Sequence, residues 1–218
     1  MSDLVEYYRE RAEEYDEIYE WRDPHRQEEQ KRLGDAIKES LKDRRVLEVA
    51  CGTGFWTRIL SQTAKSIIAT DLGEEVMELA RGKEYACPVT FRKEDACDLS
   101  FRDGAFDGGF AFSWFSHIPR KGIDSFLEGF HRVLEAGSRV FIADNVYIPG
   151  VGGELIKKAD SGDTYKKRAL KDGRVFTIIK NYFSADDLQR IFQRHVSRFD
   201  QDNIFHGKCF WYVNYEIT

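Results

Sequence analysis

The sequence predicts an α/β fold on a mostly parallel sheet with helices on both faces, an expectation that rests on three of its features. Short apolar runs recur at residues 45–50, 66–71, 88–93, 106–113 and 138–146. Stretches with apolar residues at helical spacing, near 55–64, 74–82 and 122–135, separate them. The runs are close to continuously hydrophobic, which suits strands shielded from water on both faces rather than strands with one wet side. At 218 residues, 42% of them hydrophobic, the chain is long enough for one domain with a core of ordinary size.

Ahead of the first strand, Leu4, Tyr7, Tyr8, Ala12, Tyr15, Ile18 and Tyr19 step by three and four residues. They make a Tyr-rich apolar face on a helix over residues 3–20 that is otherwise Glu and Arg, so another element must cover that face. Pro24 opens a second helix to about Leu41, with Leu33, Ile37 and Leu41 four apart. After the fifth strand the texture turns polar and glycine-rich until Val175, and a connection of that length reads as a lid, a binding loop or a disordered segment. VFTIIKNYF, residues 175–183, reads as a strand, and Ser184 caps a helix with Asp186 and Asp187 in its first turn. The β-rich runs SRFDQDNIF and KCFWYVNYEI, joined around His206 and Gly207, form an antiparallel pair at the end of the sheet. The whole is a Rossmann-like, seven-stranded, mostly parallel sheet whose last strand is antiparallel, with an N-terminal helical cover.

Composition excludes several classes of partner. Lys and Arg number 33 against 38 Asp and Glu, a net charge of -5, and the bases are scattered among acids, which offers little to a nucleic-acid backbone. The longest apolar stretches, such as 46–49 and 105–115, are broken or too short for the ~20 helical residues that span a bilayer. The first twenty residues carry eight acids and no apolar block, unlike a secretory or transit signal, so the expectation is a cytoplasmic protein. Cys51, Cys87, Cys97 and Cys209 lie far apart with no CxxC spacing and read as packing residues rather than a disulfide framework or a zinc site.

Chemistry concentrates in VLEVACGTGFW, residues 46–56, where a buried strand runs into Gly52-Thr53-Gly54 and then a helix. Glycines there let the backbone turn tightly and approach a ligand at the helix start. A GxG tripeptide alone is shared by several nucleotide cofactors and by plain turns. The next strand ends at Asp71, 19 residues after Gly52, where a carboxylate can accept hydrogen bonds from both ribose hydroxyls; capping the helix at 74–82 is its other reading. A dinucleotide fingerprint would place a third glycine at position 57, which is Thr57, and Phe55-Trp56 is bulky where a pyrophosphate needs close approach. A nucleotide-dependent oxidoreductase is therefore disfavoured.

These residues resemble the class I S-adenosylmethionine-dependent methyltransferases, whose first motif reads acid-x-x-x-G-x-G after the first strand. Glu48-Val49-Ala50-Cys51-Gly52-Thr53-Gly54 matches it, with Ala50 where many members carry glycine. The resemblance implies S-adenosylmethionine as cofactor and S-adenosylhomocysteine as product. It places the methionyl part on the turn of Ala50, Gly52 and Gly54, its amino group near Glu48, and the ribose on Asp71. Leu72 and Val76 would flank the adenosine, Asp95 and the Ala96 amide would read the adenine, and Phe112 to His117 would occupy the strand exit near the methyl group. It also implies one domain over 1–218, with a helical cover at 1–42, a cofactor-binding core at 43–146, a substrate-side insert or lid at 147–174 and C-terminal strands and helix at 175–218.

For catalysis, positioning of the acceptor in line with the methyl group supplies much of the acceleration, and His117 in SWFSHIP is the candidate general base, with a structural role in the Ile118-Pro119 turn as its alternative. His131 reads as an ordinary helix-surface residue, and Asp107, opening the fourth strand, as structural. No His, Asp or Glu cluster has metal-ligand spacing, so no metal is expected. Tyr15 is assigned to the cofactor, and Tyr19, Asn145, Tyr147 and Arg168 with His117 to the acceptor; Tyr8, Tyr15 and Tyr19 could equally be packing. Arg168 or Lys180 could recognise an anion, while Lys157, Lys158, Lys166 and Lys167 read as solvated charge. The expected acceptor is a small molecule, with no nucleic acid or membrane partner, and the protein a monomer or homodimer. Rival readings are a protein methyltransferase and a non-catalytic S-adenosylmethionine-binding domain.

Overall fold

The computed structural model describes residues 2–12, 23–157 and 162–218. A seven-stranded sheet is built from β1 (Arg45–Val49), β2 (Ser66–Asp71), β3 (Val89–Lys93), β4 (Phe106–Phe112), β5 (Leu134–Asn145), β9 (Ile204–His206) and β10 (Phe210–Glu216), in the order β3-β2-β1-β4-β5-β10-β9. The first five are parallel, and β10 runs antiparallel to both β5 and β9. Strand order reverses on either side of β1, so the carboxyl ends of β1, β2 and β4 border the crevice where ligands dock in open α/β sheets.

Alternation along the strands divides the core. Leu47, Val49, Ala111, Val140 and Ile142 pack under α5 (Ile123–Arg132) and α6 (Ala185–Phe192), with Phe126, Leu127, Phe130, Leu188 and Phe192. Val46, Ile67, Ala69, Phe110, Phe112 and Phe141 pack under α2 (Pro24–Ser40) and α3 (Phe55–Leu60). Gly109 has no space for a side chain, because a Cβ there would sit 2.9 Å from both Leu134 and Phe130. Ser184 caps α6 in a reciprocal box with Asp187. Asp107 is structural: its carboxylate accepts from the Arg45 backbone and guanidinium at the far end of the sheet.

The segment read as a polar insert followed by a strand is a sheet of its own. Between them, β6 (Leu155–Lys157), β7 (Thr164–Ala169) and β8 (Val175–Ile179) form an antiparallel three-stranded sheet. The break set at 174 therefore cuts a hairpin, since Ala169 pairs with Val175 across a turn closed by Leu170 N to Arg174 O and Gly173 N to Leu170 O. The first helix, α1 (Ser2–Glu10), packs on this small sheet: Tyr7 meets Phe176 at 5.7 Å between ring centroids and clusters with Leu170 and Ile178. Tyr15 and Tyr19 lie outside the described residues. Of the cysteines, Cys51 and Cys209 are buried as expected for packing, whereas Cys97 is exposed; all four are free thiols. No helix among the described residues is long and apolar enough to cross a membrane.

Candidate active site

At the carboxyl edge of β1 the chain enters the glycine turn in left-handed backbone, with φ of 53° at Ala50, 54° at Gly52 and 78° at Gly54. Ala50 occupies that region against its Cβ, a strain of roughly 1–2 kcal/mol that glycine would avoid. The two glycines have different reasons to be there. Gly52 lies on the wall of the cleft. Gly54 does not line it; a Cβ there would come within 2.5 Å of the Tyr85 hydroxyl and 3.0 Å of Ala80, so its glycine lets α3 sit against α4 (Glu74–Arg81).

Two carboxyls flank the turn, of which Asp71 lines the cleft and Glu48 does not. Asp71 bridges it to β2: Oδ2 accepts from Gly52 N and Oδ1 from Gly73 N, both at 2.9 Å. Burial pushes its carboxyl above the usual range, with the backbone N–H groups of Gly73, Gly52 and Leu72 acting the other way. It does not cap α4, whose N-cap is Gly73 without a side-chain bond. Glu48, two residues ahead of Ala50, is 2% exposed and its Oε2 has no hydrogen-bond partner. Burial pushes its pKa up to about 8, against the pull of the Thr57 side chain.

The cleft in front of this edge is lined by Ala50, Gly52, Asp71, Leu72, Gly73, Val76, Glu94, Ala96, Phe112, Ser113, Trp114 and His117, and α1 covers it with Leu4, Tyr8 and Arg9. Phe112 is held by Trp56, 4.6 Å away between centroids. Asp95 is off this wall: its Oδ1 accepts from Cys97 N at 2.8 Å inside its own loop. Neighbouring Glu94 is on the wall, with its carboxylate bound to Arg92 and Ser100.

At the other end, His117 is 5% exposed in a 3-10 turn, Phe115–His117. Its Nδ1 lies 2.6 Å from the Ile179 carbonyl and its Nε2 2.8 Å from the Tyr8 hydroxyl. A carbonyl only accepts, so Nδ1 carries the proton and Nε2 accepts from Tyr8. Burial, then the nearby Lys180 charge, drives the imidazole far below its ordinary pKa. Its side chain binds the small sheet and α1, not the Ile118-Pro119 turn. Beneath it, Lys180 Nζ donates to Asp144 Oδ1 at 2.9 Å and to Ser116 Oγ at 2.6 Å, while Ser116 N and Asn145 N donate to Asp144. Asn145 reaches the wall through Ser113 Oγ at 3.0 Å. Tyr147 stacks edgewise on Tyr182 at 5.1 Å.

Residues 46–137 match the family model described as a methyltransferase domain. The O-methyltransferase cnsE of Penicillium expansum is 33% identical over 138 residues, which is 58% of this chain and 49% of that protein. A demethylmenaquinone methyltransferase of Clavibacter sepedonicus is 29% identical over 133 residues, 54% of this chain and 53% of that one. The chain thus spans about half the length of these curated relatives. Residues 46–137 thus resemble a methyltransferase domain and lie on a sheet of the order already described. The fold as a whole is shared with solved structures: the one described as a DhpI-SAM-HEP complex superposes with a TM-score of 0.76 at 24% identity, covering 98% of this chain and 95% of that one. The PH0226 protein from Pyrococcus horikoshii gives 0.69 at 16% identity, over 90% and 93%.

Several residues around the cleft were not placed from sequence. Tyr8 belonged to the Tyr-rich face, but only the fold brings it to His117, 109 residues away. Lys166, read as solvated, is 1% exposed, with Nζ donating to the Val151 and Gly153 carbonyls. The alternation in TYKKRA, which puts Lys166 and Arg168 on one side of a strand, was the available signal. His131 is not a free surface residue: its Nε2 meets the Tyr215 hydroxyl at 2.7 Å and burial lowers its pKa to about 4. Among the described residues, no group of three or more His, Cys, Asp or Glu side chains is gathered to hold a metal.

Proposed function

We propose that the chain transfers a methyl group from S-adenosylmethionine to a small-molecule acceptor, with S-adenosylhomocysteine as product. The observation that carries this reading is the buried, unpartnered Glu48 Oε2 beside a glycine turn that Asp71 ties to the neighbouring strand. A cationic amino group supplies the missing partner and returns Glu48 to its charged form. Each Asp71 oxygen takes one backbone N–H, which leaves lone pairs for ribose hydroxyls. Ala50 and Gly52 flank the methionyl end, Leu72, Val76 and Ala96 the adenosine, and Phe112 the approach to the acceptor. Asp95 and Gly54, off the wall, support the loop and the α3–α4 packing instead.

When bound, S-adenosylmethionine supplies a methyl group activated by its sulfonium. The chain's own part is to hold the acceptor beside it and keep water out. Tyr8 closes that end, and His117 fixes its hydroxyl through Nε2. An imidazole held so far below neutral is a weak base, so His117 acts as a positioning residue for Tyr8. Asn145, Tyr147 and Arg168 border the acceptor side.

The reading is tested by incubating the protein with methyl-labelled S-adenosylmethionine and a panel of small hydroxyl, amine, carboxylate and phosphonate acceptors. Label transfer to at least one acceptor, with S-adenosylhomocysteine released in equal amount, is expected. Tight S-adenosylhomocysteine binding without transfer to any of them would leave a binding domain in place of an enzyme.

A further inference from the structure

Among the described residues, the inward face of the small sheet carries three cations, of which one, Lys180, has an acid as its partner. On β7 and β8, Lys166 pairs with Ile178 and Arg168 with Phe176, and paired residues of an antiparallel ladder share a face. Lys180 follows Ile178 by two and so lies on that face as well. It is the face that meets α1, since Phe176 and Ile178 pack on Tyr7. Its edge also reaches the cleft, because the Ile179 carbonyl holds His117.

The three cations differ in what they hold. Lys180, 4% exposed, is paired with Asp144. Lys166 rests on two carbonyls, with its Nζ 5.1 Å from the centre of the Tyr147 ring. Arg168 has neither ion pair nor side-chain hydrogen bond among the described residues, and its Nε is buried without a partner. Its guanidinium lies against Gly152, where any Cβ would collide with Nη1. Tyr147, 39% exposed, is on the solvent side of the cluster. Three cations against one carboxylate, with Lys166 and Lys180 buried and Arg168 half-buried, is a costly arrangement unless an anion completes it.

We propose that this face is the acceptor's recognition site and that the acceptor carries an oxyanion group, carboxylate or phosphate-like, held by the Arg168 fork with Lys166 beside it. The proposal rests on the methyl-transfer reading for the word acceptor; the anion site itself does not. A planar guanidinium matches two oxygens of such a group, and an ammonium adds a point charge. Burial, then the neighbouring Arg168 and Lys180 charges, lowers the Lys166 pKa, and a bound anion acts against that shift.

The test is calorimetric titration of the full chain with inorganic phosphate and with acetate, at fixed ionic strength in chloride, and separately with S-adenosylhomocysteine. Saturable binding of phosphate or acetate is expected. Arg168→Gln should weaken it at least tenfold while S-adenosylhomocysteine affinity stays within twofold. Tighter phosphate points to a tetrahedral oxyanion, tighter acetate to a carboxylate. Lys167→Gln, on the opposite face of the same strand, should change nothing. If Arg168→Gln does not fold, Arg168→Lys keeps the charge and loses the fork, and should still weaken binding several-fold. Equal anion affinity in wild type and Arg168→Gln, or an equal loss in Lys167→Gln, overturns the proposal. Anion binding intact in a wild-type protein that fails to bind S-adenosylhomocysteine would instead remove the methyl-donor reading, and with it the acceptor role of this face.

Discussion

The two ends of the cleft are built on opposite principles. At the β1–β2 edge, backbone conformation does the shaping and the titratable groups are two carboxyls, buried Glu48 and half-buried Asp71. At the small-sheet end, side chains from three separate elements do the shaping and the charge is positive, from Lys166, Arg168 and Lys180. The first end depends on short sequence spacing, the second on contacts such as Tyr8 to His117 and Lys180 to Asp144, which join residues 109 and 36 positions apart. A site for a fixed ligand can be coded locally. A site for a variable one is assembled by the tertiary fold.

The sharpest way to break this contrast is at Asp144. Removing one member of a buried pair strands the other charge, so Asp144→Ala should cost ~3–5 kcal/mol in denaturant unfolding, whereas Asp144→Leu with Lys180→Met should recover most of it. Equal, small losses in both proteins would show that the pair is well solvated. Next comes Gly54→Val, which meets Tyr85 and Ala80. It should lower stability by about 1–3 kcal/mol while the folded fraction retains cofactor affinity, and Gly52→Val should abolish binding. Should both lose binding alike, the distinction drawn between the two glycines fails.

His117 sharpens the comparison at the positive end. As the holder of Tyr8, its replacement by Ala should raise the acceptor KM several-fold with a smaller change in kcat, and Tyr8→Phe should do much the same. Wild-type kcat should show no inflection between about pH 6 and 8, because the folded imidazole titrates well below its usual value. For stability the sign is opposite to that of a paired histidine: the unfolded state takes up the proton first, so the contribution of neutral His117 falls as pH drops below about 6.5 toward the folded value. An acid limb in kcat near pH 6.5 together with a ~10²-fold loss in His117→Ala would restore the general base.

What the sequence made legible follows the same division. The five parallel strands, the helix starts at Pro24 and Ser184, and the terminal antiparallel pair were readable because each depends on local periodicity or a local hydrogen bond. The positions of Ala50, Gly52, Asp71, Leu72, Val76 and Phe112 on one wall follow from strand ends and one topological switch. The small sheet was not readable in 155–169, where charge masks a two-residue alternation, although Asp172-Gly173 marks a hairpin turn. Asp95 and Glu94 are adjacent acids that no spacing argument separates; only the Asp95 bond to Cys97 turns one away from the cleft. Tyr8 meets His117, Lys166 the Val151 and Gly153 carbonyls, and Lys180 Asp144 only once separate elements have packed together.

The smallest expected effect is also the most specific, and it concerns a proton. Glu48 with its pKa near 8 is largely protonated at pH 7, and an amino cation bound beside Oε2 favours the carboxylate. Calorimetry of S-adenosylhomocysteine binding at pH 7, in buffers of different ionisation enthalpy, should therefore show proton release approaching one per site in wild type. Glu48→Gln should eliminate the release, and Asp71→Ala should keep it while weakening affinity at least tenfold, each charged hydrogen bond being worth ~1.5–3 kcal/mol. Binding that releases no proton, with affinity unchanged in both variants, would contradict the placement of the methyl donor at this edge.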